Sequence, residues 1–263
     1  MLLRQLRYFS IPCVLLGASC GGLFGVSSAH AADLQVAVAA NFQAPLEAIA
    51  KSYTAATSHK VLIVSGASGK FFAQIENGAP FDVFLSADQT FPKKLVEKKL
   101  ADPASRFTYA EGALVLWSPD PKRIDAEGKV LRDNQFKHLA IANSELAPYG
   151  KAAEETLQKL GLFETLKPKF VTGESVGQTF QFISSGNAEL GFVPLSMTKD
   201  PVSKLQKHGS QWIVPKEDYA PILQDAVLLT SSKNKKQAQA FLDYLKTKEV
   251  KTTIGTFGYT FSK

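Results

Sequence analysis

The sequence predicts an α/β protein of two lobes, each a mostly parallel sheet flanked by helices. Three observations carry this. Short apolar strands alternate with amphipathic helices from Leu34 onward, the pattern of a parallel sheet covered on both faces. A less regular stretch with Pro119 and Pro121 interrupts the alternation, which then resumes. At 263 residues the chain exceeds the usual length of one compact domain and is short for three.

The elements follow in order. "LQVAVAA" (34–40) reads as a buried strand. Next, Phe42, Leu46, Ile49, Ala50 and Tyr53 recur at helical spacing. Pro45 is tolerated only in a first turn, so that helix starts between Asn41 and Ala44. "KVLIVS" is a second strand, and Ser68 stands as N-cap of a helix through Phe71, Phe72 and Ile75 that stops at Asn77-Gly78. "FDVFLSAD" is a third strand, and "TFPKKLVEKK" a third helix. After the strand "ALVLW" (113–117), the alternation resumes with "HLAIAN", the helix "PYGKAAEETLQKLG", "KFVTGES" leading into "VGQTFQFISSGN", and the strand "AELGFVP". "AVLLT" (226–230) is a late strand before "KKQAQAFLDYLKTKE" and a terminal helix near Glu249 to Phe257. The first lobe is expected over 32–112 and 226–263, the second over 113–225.

Residues 1–31 stand apart. Arg4 and Arg7 open the segment, an apolar run follows, and it ends in Ala29-His30-Ala31. These are the parts of a secretory signal peptide, with cleavage expected near Ala31 and export from the cytoplasm. Gly17, Ser19, Gly21, Gly22 and Gly25 interrupt the apolar run, against a spanning helix of ~20 mostly apolar residues. A lipid anchor on Cys20 would follow "LGAS", a poor attachment box. Cys13 and Cys20 both lie here, so the remainder offers no disulfide, thiolate or cysteine metal site. Without the leader, 28 basic residues face 24 acidic ones. The lysines are spread along the chain, as solvated helix faces rather than a nucleic-acid surface.

The loop "SGASGK" (65–70) invites a nucleotide reading. A phosphate loop needs glycine, four residues, then Gly-Lys-Ser/Thr. Counting back from Gly69 puts Val64 at the first glycine, and Phe71 replaces the final hydroxyl residue. What survives is a recurring form: a strand ends, a small or polar residue turns, and a helix begins. Ala39-Ala40-Asn41, Ala67-Ser68-Gly69 and Glu174-Ser175-Val176 share it, and Ala147-Pro148-Tyr149 opens a fourth helix. Helix starts expose unpaired N–H groups and partial positive charge. Several facing one cleft would hold an anion with no lysine or arginine. Taken singly, Asn41 and Ser68 could be plain caps, each worth about 1 kcal/mol. Catalysis has little to use: His59, His138 and His208 are scattered, no G-x-S-x-G elbow occurs, and Asp82 and Asp88 read as cap or turn residues. Lys70 reads as a solvent-facing lysine on a first helical turn.

Five stretches resemble the periplasmic molybdate-binding proteins of ABC transporters. They are "LQVAVAANFQAPLEAIAKSY", "SGASGKFFAQIENGAPFDVFLSAD", "APYGKAAEETLQKLG", "GESVGQTFQFISSGNAELGFV" and "AFLDYLKTKEVKTTIGTFGYTF". The resemblance implies the two-lobed periplasmic-binding-protein fold, joined by a hinge and closing on one tetrahedral oxyanion. It implies a monomer that hands molybdate or tungstate to an inner-membrane permease, with no enzyme activity, cofactor or nucleic-acid partner. Carried over by position, Asn41, Ser68, Tyr149 and Val176 contact the oxygens of molybdate, with no ligand to the metal itself. Ala40 and Ala67 add backbone groups. Some members place a tyrosine where Pro194 stands, and Tyr149 is expected to supply that hydroxyl. Neutral donors suit a buried dianion, whose every oxygen needs a hydrogen bond. They are expected to leave no acceptor for a protonated anion such as hydrogen phosphate, and to discriminate against sulfate by cavity size.

Overall fold

The computed structural model describes residues 33–200 and 209–261. The leader reading and His208 fall outside these. Two five-stranded sheets organise the described residues. The first contains β1 (Leu34–Ala39), β2 (Val61–Gly66), β3 (Val83–Leu85), β4 (Phe107–Gly112) and β10 (Ile222–Leu228), in the order β2-β1-β3-β10-β4. Helices α1 (Gln43–Thr57), α2 (Ser68–Glu76) and α3 (Thr90–Glu97) lie between its early strands in sequence. The second contains β5 (Leu114–Ser118), β6 (Leu139–Ala142), β7 (Phe170–Gly173), β8 (Leu190–Pro194) and β9 (Ser210–Ile213), in the order β7-β6-β8-β5-β9. Its connections carry α4 (Val130–Asp133), α5 (Pro148–Lys159), α6 (Phe163–Leu166), α7 (Val176–Ser184) and α8 (Leu195–Thr198). Helices α9 (Lys235–Leu245) and α10 (Lys248–Thr256) close the chain.

Period-two alternation explains why helices cover both faces of each sheet. In the first, Leu34, Val36 and Val38 pack with Leu46 and Ile49 of α1, Phe241 of α9 and Ile254 of α10. Ala37, Phe84 and Val227 turn the other way, onto Phe71 and Ile75 of α2 and Leu95 of α3. In the second, Leu114, Leu139 and Phe192 pack with Leu157 of α5, while Val115, Ala140 and Val193 meet Ile183 of α7.

Each sheet has one reversed strand. β10 is antiparallel to both β3 and β4, and β5 is antiparallel to both β8 and β9. These are the strands that arrive from the other sheet: β5 follows β4 after Ala113, and β10 follows β9. The parallel strands run with their carboxyl ends toward the space between the sheets. A strand that enters from that space has to run the opposite way.

Three local expectations change. The late strand begins at Ile222, not Ala226, because the polar pair Gln224-Asp225 is buried inside it, where the register with β4 shifts. The strand expected over 81–88 is confined to Val83–Leu85; beyond its ends the Asp82 side chain accepts from the distant Ser232 Oγ, and Ser86 Oγ donates to Asp88 in the turn that follows. The N-cap of α2 is Ala67, and Ser68 is its first helical residue.

Candidate functional site

Four helical starts meet at one small cavity. β1 ends at Ala39 and passes into a 3₁₀ turn, Ala40–Phe42. Ala67 precedes α2, Ala147 precedes α5, and Ser175 precedes α7. The cavity is tight and is lined by Ala39, Ala40, Asn41, Gly66, Ala67, Ser68, Ala87, Ala147, Pro148, Tyr149 and Val176. All six sequence-derived candidates are among them, brought from four separated segments and both sheets. Pro194, the last residue of β8, is not in the lining. No lining residue is charged.

The caps themselves are informative. Ala39, Ala67 and Ala147 occupy N-cap positions and make no side-chain cap, where Ser, Asp or Asn would stabilise a helix by about 1 kcal/mol. First-turn N–H groups have no partner within their own helix. Gly69 N–H is taken by Leu146 O and Gly150 N–H by Ala147 O, and alanine leaves the remaining first-turn donors to whatever enters the cavity. At α7, Ser175 accepts from Gln178 N–H, while Val176 lines the cavity.

Neither candidate polar side chain acts as a plain cap. Ser68, 1% exposed, accepts a hydrogen bond from Ala87 N–H at 3.0 Å through Oγ. That contact fills a lone pair and leaves the hydroxyl proton to be donated elsewhere. Asn41 donates through Nδ2 to Gln224 Oε1 and to the Tyr259 hydroxyl, both at 2.9 Å. Its Oδ1 is buried with no partner, so this lining side chain also holds an unsatisfied acceptor, contrary to the expectation of donors alone. Tyr149 accepts from Gln224 Nε2 at 3.0 Å. Burial pushes the phenols of Tyr149, Tyr109 and Tyr259 above their ordinary pKa, so they remain protonated donors through the physiological range.

Asp82 and Asp88 take other roles. Asp82 is buried and accepts from Gln35 N–H and Ser232 Oγ. Asp88 accepts from Ser86 Oγ and Phe91 N–H before α3, and burial raises its pKa. Neither lines the cavity. Among the described residues no cluster of His, Cys, Asp and Glu could hold a metal ion, and no helix is long and apolar enough to cross a membrane.

Residues 34–260 match the family of bacterial extracellular solute-binding proteins. The chain belongs to this family. The molybdate-binding protein ModA of Azotobacter vinelandii is 50% identical over 252 residues, covering 95% of this chain and 98% of its own. Its namesake from Rhodobacter capsulatus is 49% identical over 231 residues, covering 88% and 89%. The solved structure of the Azotobacter vinelandii periplasmic molybdate-binding protein superposes with a TM-score of 0.85 at 42% identity, covering 88% of this chain and 100% of that one.

In this solute-binding chain, both lobes touch around the cavity. Gly69 N–H donates to Leu146 O at 2.9 Å, and Ser196 Oγ donates to Asn41 O at 2.8 Å. Lys70 is solvent-exposed, as its place on a first turn suggested, and is ion-paired there with Glu174 across the cleft. Both side chains remain exposed, 43% and 65%, and such a pair contributes about 0–1 kcal/mol. Glu174→Gln is therefore expected to change anion affinity by less than about fivefold and to reduce its salt dependence, measured by titration at two ionic strengths.

Sequence reading missed Gln224, Tyr109, Tyr259 and Ser196, which hold the site from behind. Tyr109 donates toward Ser86 O and Gln224 Oε1, and Tyr259 toward Asn41 O and Ser196 Oγ. One signal was available: Gln224-Asp225 is a polar pair beside the apolar run of a strand.

Proposed function

We propose that this chain captures molybdate or tungstate in the periplasm and delivers it to an inner-membrane ABC permease. The observation that carries the reading is the uncharged cavity at four helical starts, lined by Asn41, Ser68, Tyr149 and Val176 with Ala40 and Ala67. Helix N-termini favour anions, and charge-assisted hydrogen bonds to fixed dipoles are strong. The half-identical relatives named for molybdate support the choice of anion. Ser68 and Tyr149 would donate hydroxyl protons, and Val176, Ala40, Ala67 and Asn41 would contribute backbone groups, since both amide protons of the Asn41 side chain are already given to Gln224 and Tyr259. Closure would bring the two sheets together about the crossings near Ala113 and before Ile222. The protein would be exported through a leader cleaved near Ala31 and act as a monomer, with no cofactor, catalysis or nucleic-acid partner.

Calorimetric titration with molybdate, tungstate, sulfate and phosphate tests this. Molybdate and tungstate are expected to bind far more tightly than sulfate. Affinity is expected to stay level between about pH 6 and pH 9, because the phenols begin to titrate only above about 10 and burial moves them higher. Sulfate binding as tightly as molybdate would move the reading to another oxyanion. Turnover of a phosphate or sulfate ester would replace it with an enzyme.

A further inference from the structure

Tyr149 reaches the cavity from α5, yet its hydroxyl is seated on the two chain segments that cross between the sheets. One is Gly112, the last residue of β4, which pairs with Ile222 of β10. A Cβ added at Gly112 would stand 1.9 Å from the Tyr149 hydroxyl and 2.7 Å from Gln224 Nε2. Only glycine leaves that space. The other is β10 itself, whose fully buried Gln224 donates Nε2–H to the phenol oxygen at 3.0 Å.

The direction of the Gln224 amide is set by its far end. Oε1 receives Asn41 Nδ2 at 2.9 Å and faces the Tyr109 hydroxyl at 3.0 Å. With donors there, Nε2 has to face Tyr149. An amide N–H can only donate, so one phenol lone pair is filled from behind. The single phenol proton is left to turn toward the nearby Tyr259 hydroxyl or into the cavity.

We infer that Gln224 is a positioning residue for the anion, orienting Tyr149 as a proton donor into the cavity from a seat that Gly112 keeps open. The inference rests on the oxyanion reading above. It makes Gln224 act through Tyr149, and not by contact with the anion.

A double-mutant cycle read by calorimetry with molybdate tests this, because coupled residues give non-additive losses. Tyr149→Phe is expected to weaken binding about ten- to hundredfold, as a buried donor to a charged group is lost. Gln224→Met should weaken it comparably. In the Tyr149→Phe background, Gln224→Met should add less than about threefold, although thermal stability still falls. A role in stability alone would leave affinity unchanged. The same affinity loss in both backgrounds would mean that Gln224 acts independently of Tyr149. Either result overturns the inference. Should Gln224→Met fail to fold, Gly112→Ala decides: its affinity loss should be large in the parent and smaller in the Tyr149→Phe background, where the closest clash is gone. Equal losses there count against the proposal. If the parent does not bind molybdate, the functional reading fails separately, and the cycle is run with whichever of tungstate, sulfate or phosphate it binds.

Discussion

Ser68→Ala is expected to weaken molybdate binding by about 1–3 kcal/mol, or roughly five- to 150-fold. The hydroxyl has two tasks. Its oxygen accepts Ala87 N–H at 3.0 Å, and its proton is left for the cavity, which Ser68 and Ala87 both line. Alanine removes the donor and also strands the Ala87 N–H. The anion-free protein should therefore lose about 1 kcal/mol of stability as well. Calorimetry and thermal denaturation separate the two losses. If stability falls and affinity holds, Ser68 supports the turn before α3 and does not meet the anion.

Gly150→Ala is expected to destabilise the protein by about 3 kcal/mol, at the upper end of overpacking costs. A Cβ there would stand 2.2 Å from Ala142 O and 2.7 Å from Ala142 C. Both atoms are backbone, at the end of the buried strand β6, so no side chain can swing aside. The first turn of α5 would have to lift away from that strand and carry its neighbour Tyr149 with it. The melting temperature should fall by about 6–12 °C for a chain of this size, and anion affinity should fall with it. Gly255→Ala is the control. Nothing lies within 4 Å of that position on α10, and alanine is the better helix former, so stability should hold or rise. Equal effects at the two glycines would refute the packing argument.

Local pattern carried much of this architecture. The alternation of strands and helices and the stop signals were legible, and Gly78 and Gly161 adopt positive φ just beyond α2 and α5. The four helix starts were legible too, since small residues between a strand and a helix leave N–H groups unfilled. Ser68 was misplaced by one position, because Ala67 makes no side-chain cap that could mark the boundary. What stayed hidden depends on partners far away in sequence. Gln224 meets Asn41 183 residues distant and Tyr149 75 residues distant. In a sequence it is only a polar interruption of a strand, and the strand was accordingly started too late. Gly112 shows nothing locally either, and its need for empty space is visible only once Tyr149 is folded against it.

The tightness of the cavity bears on selectivity in another way. Asn41, Ser68, Tyr149 and Val176 are each at most 5% exposed. An anion held among them has shed its hydration shell. Stripping water from an ion is costly, and for equal charge the cost rises as the ion shrinks. Sulfate is the smaller tetrahedral dianion, so it forfeits more solvent than molybdate does. Dipoles fixed at one spacing return less to it in exchange. Part of the choice between the two anions is then made by the water left outside.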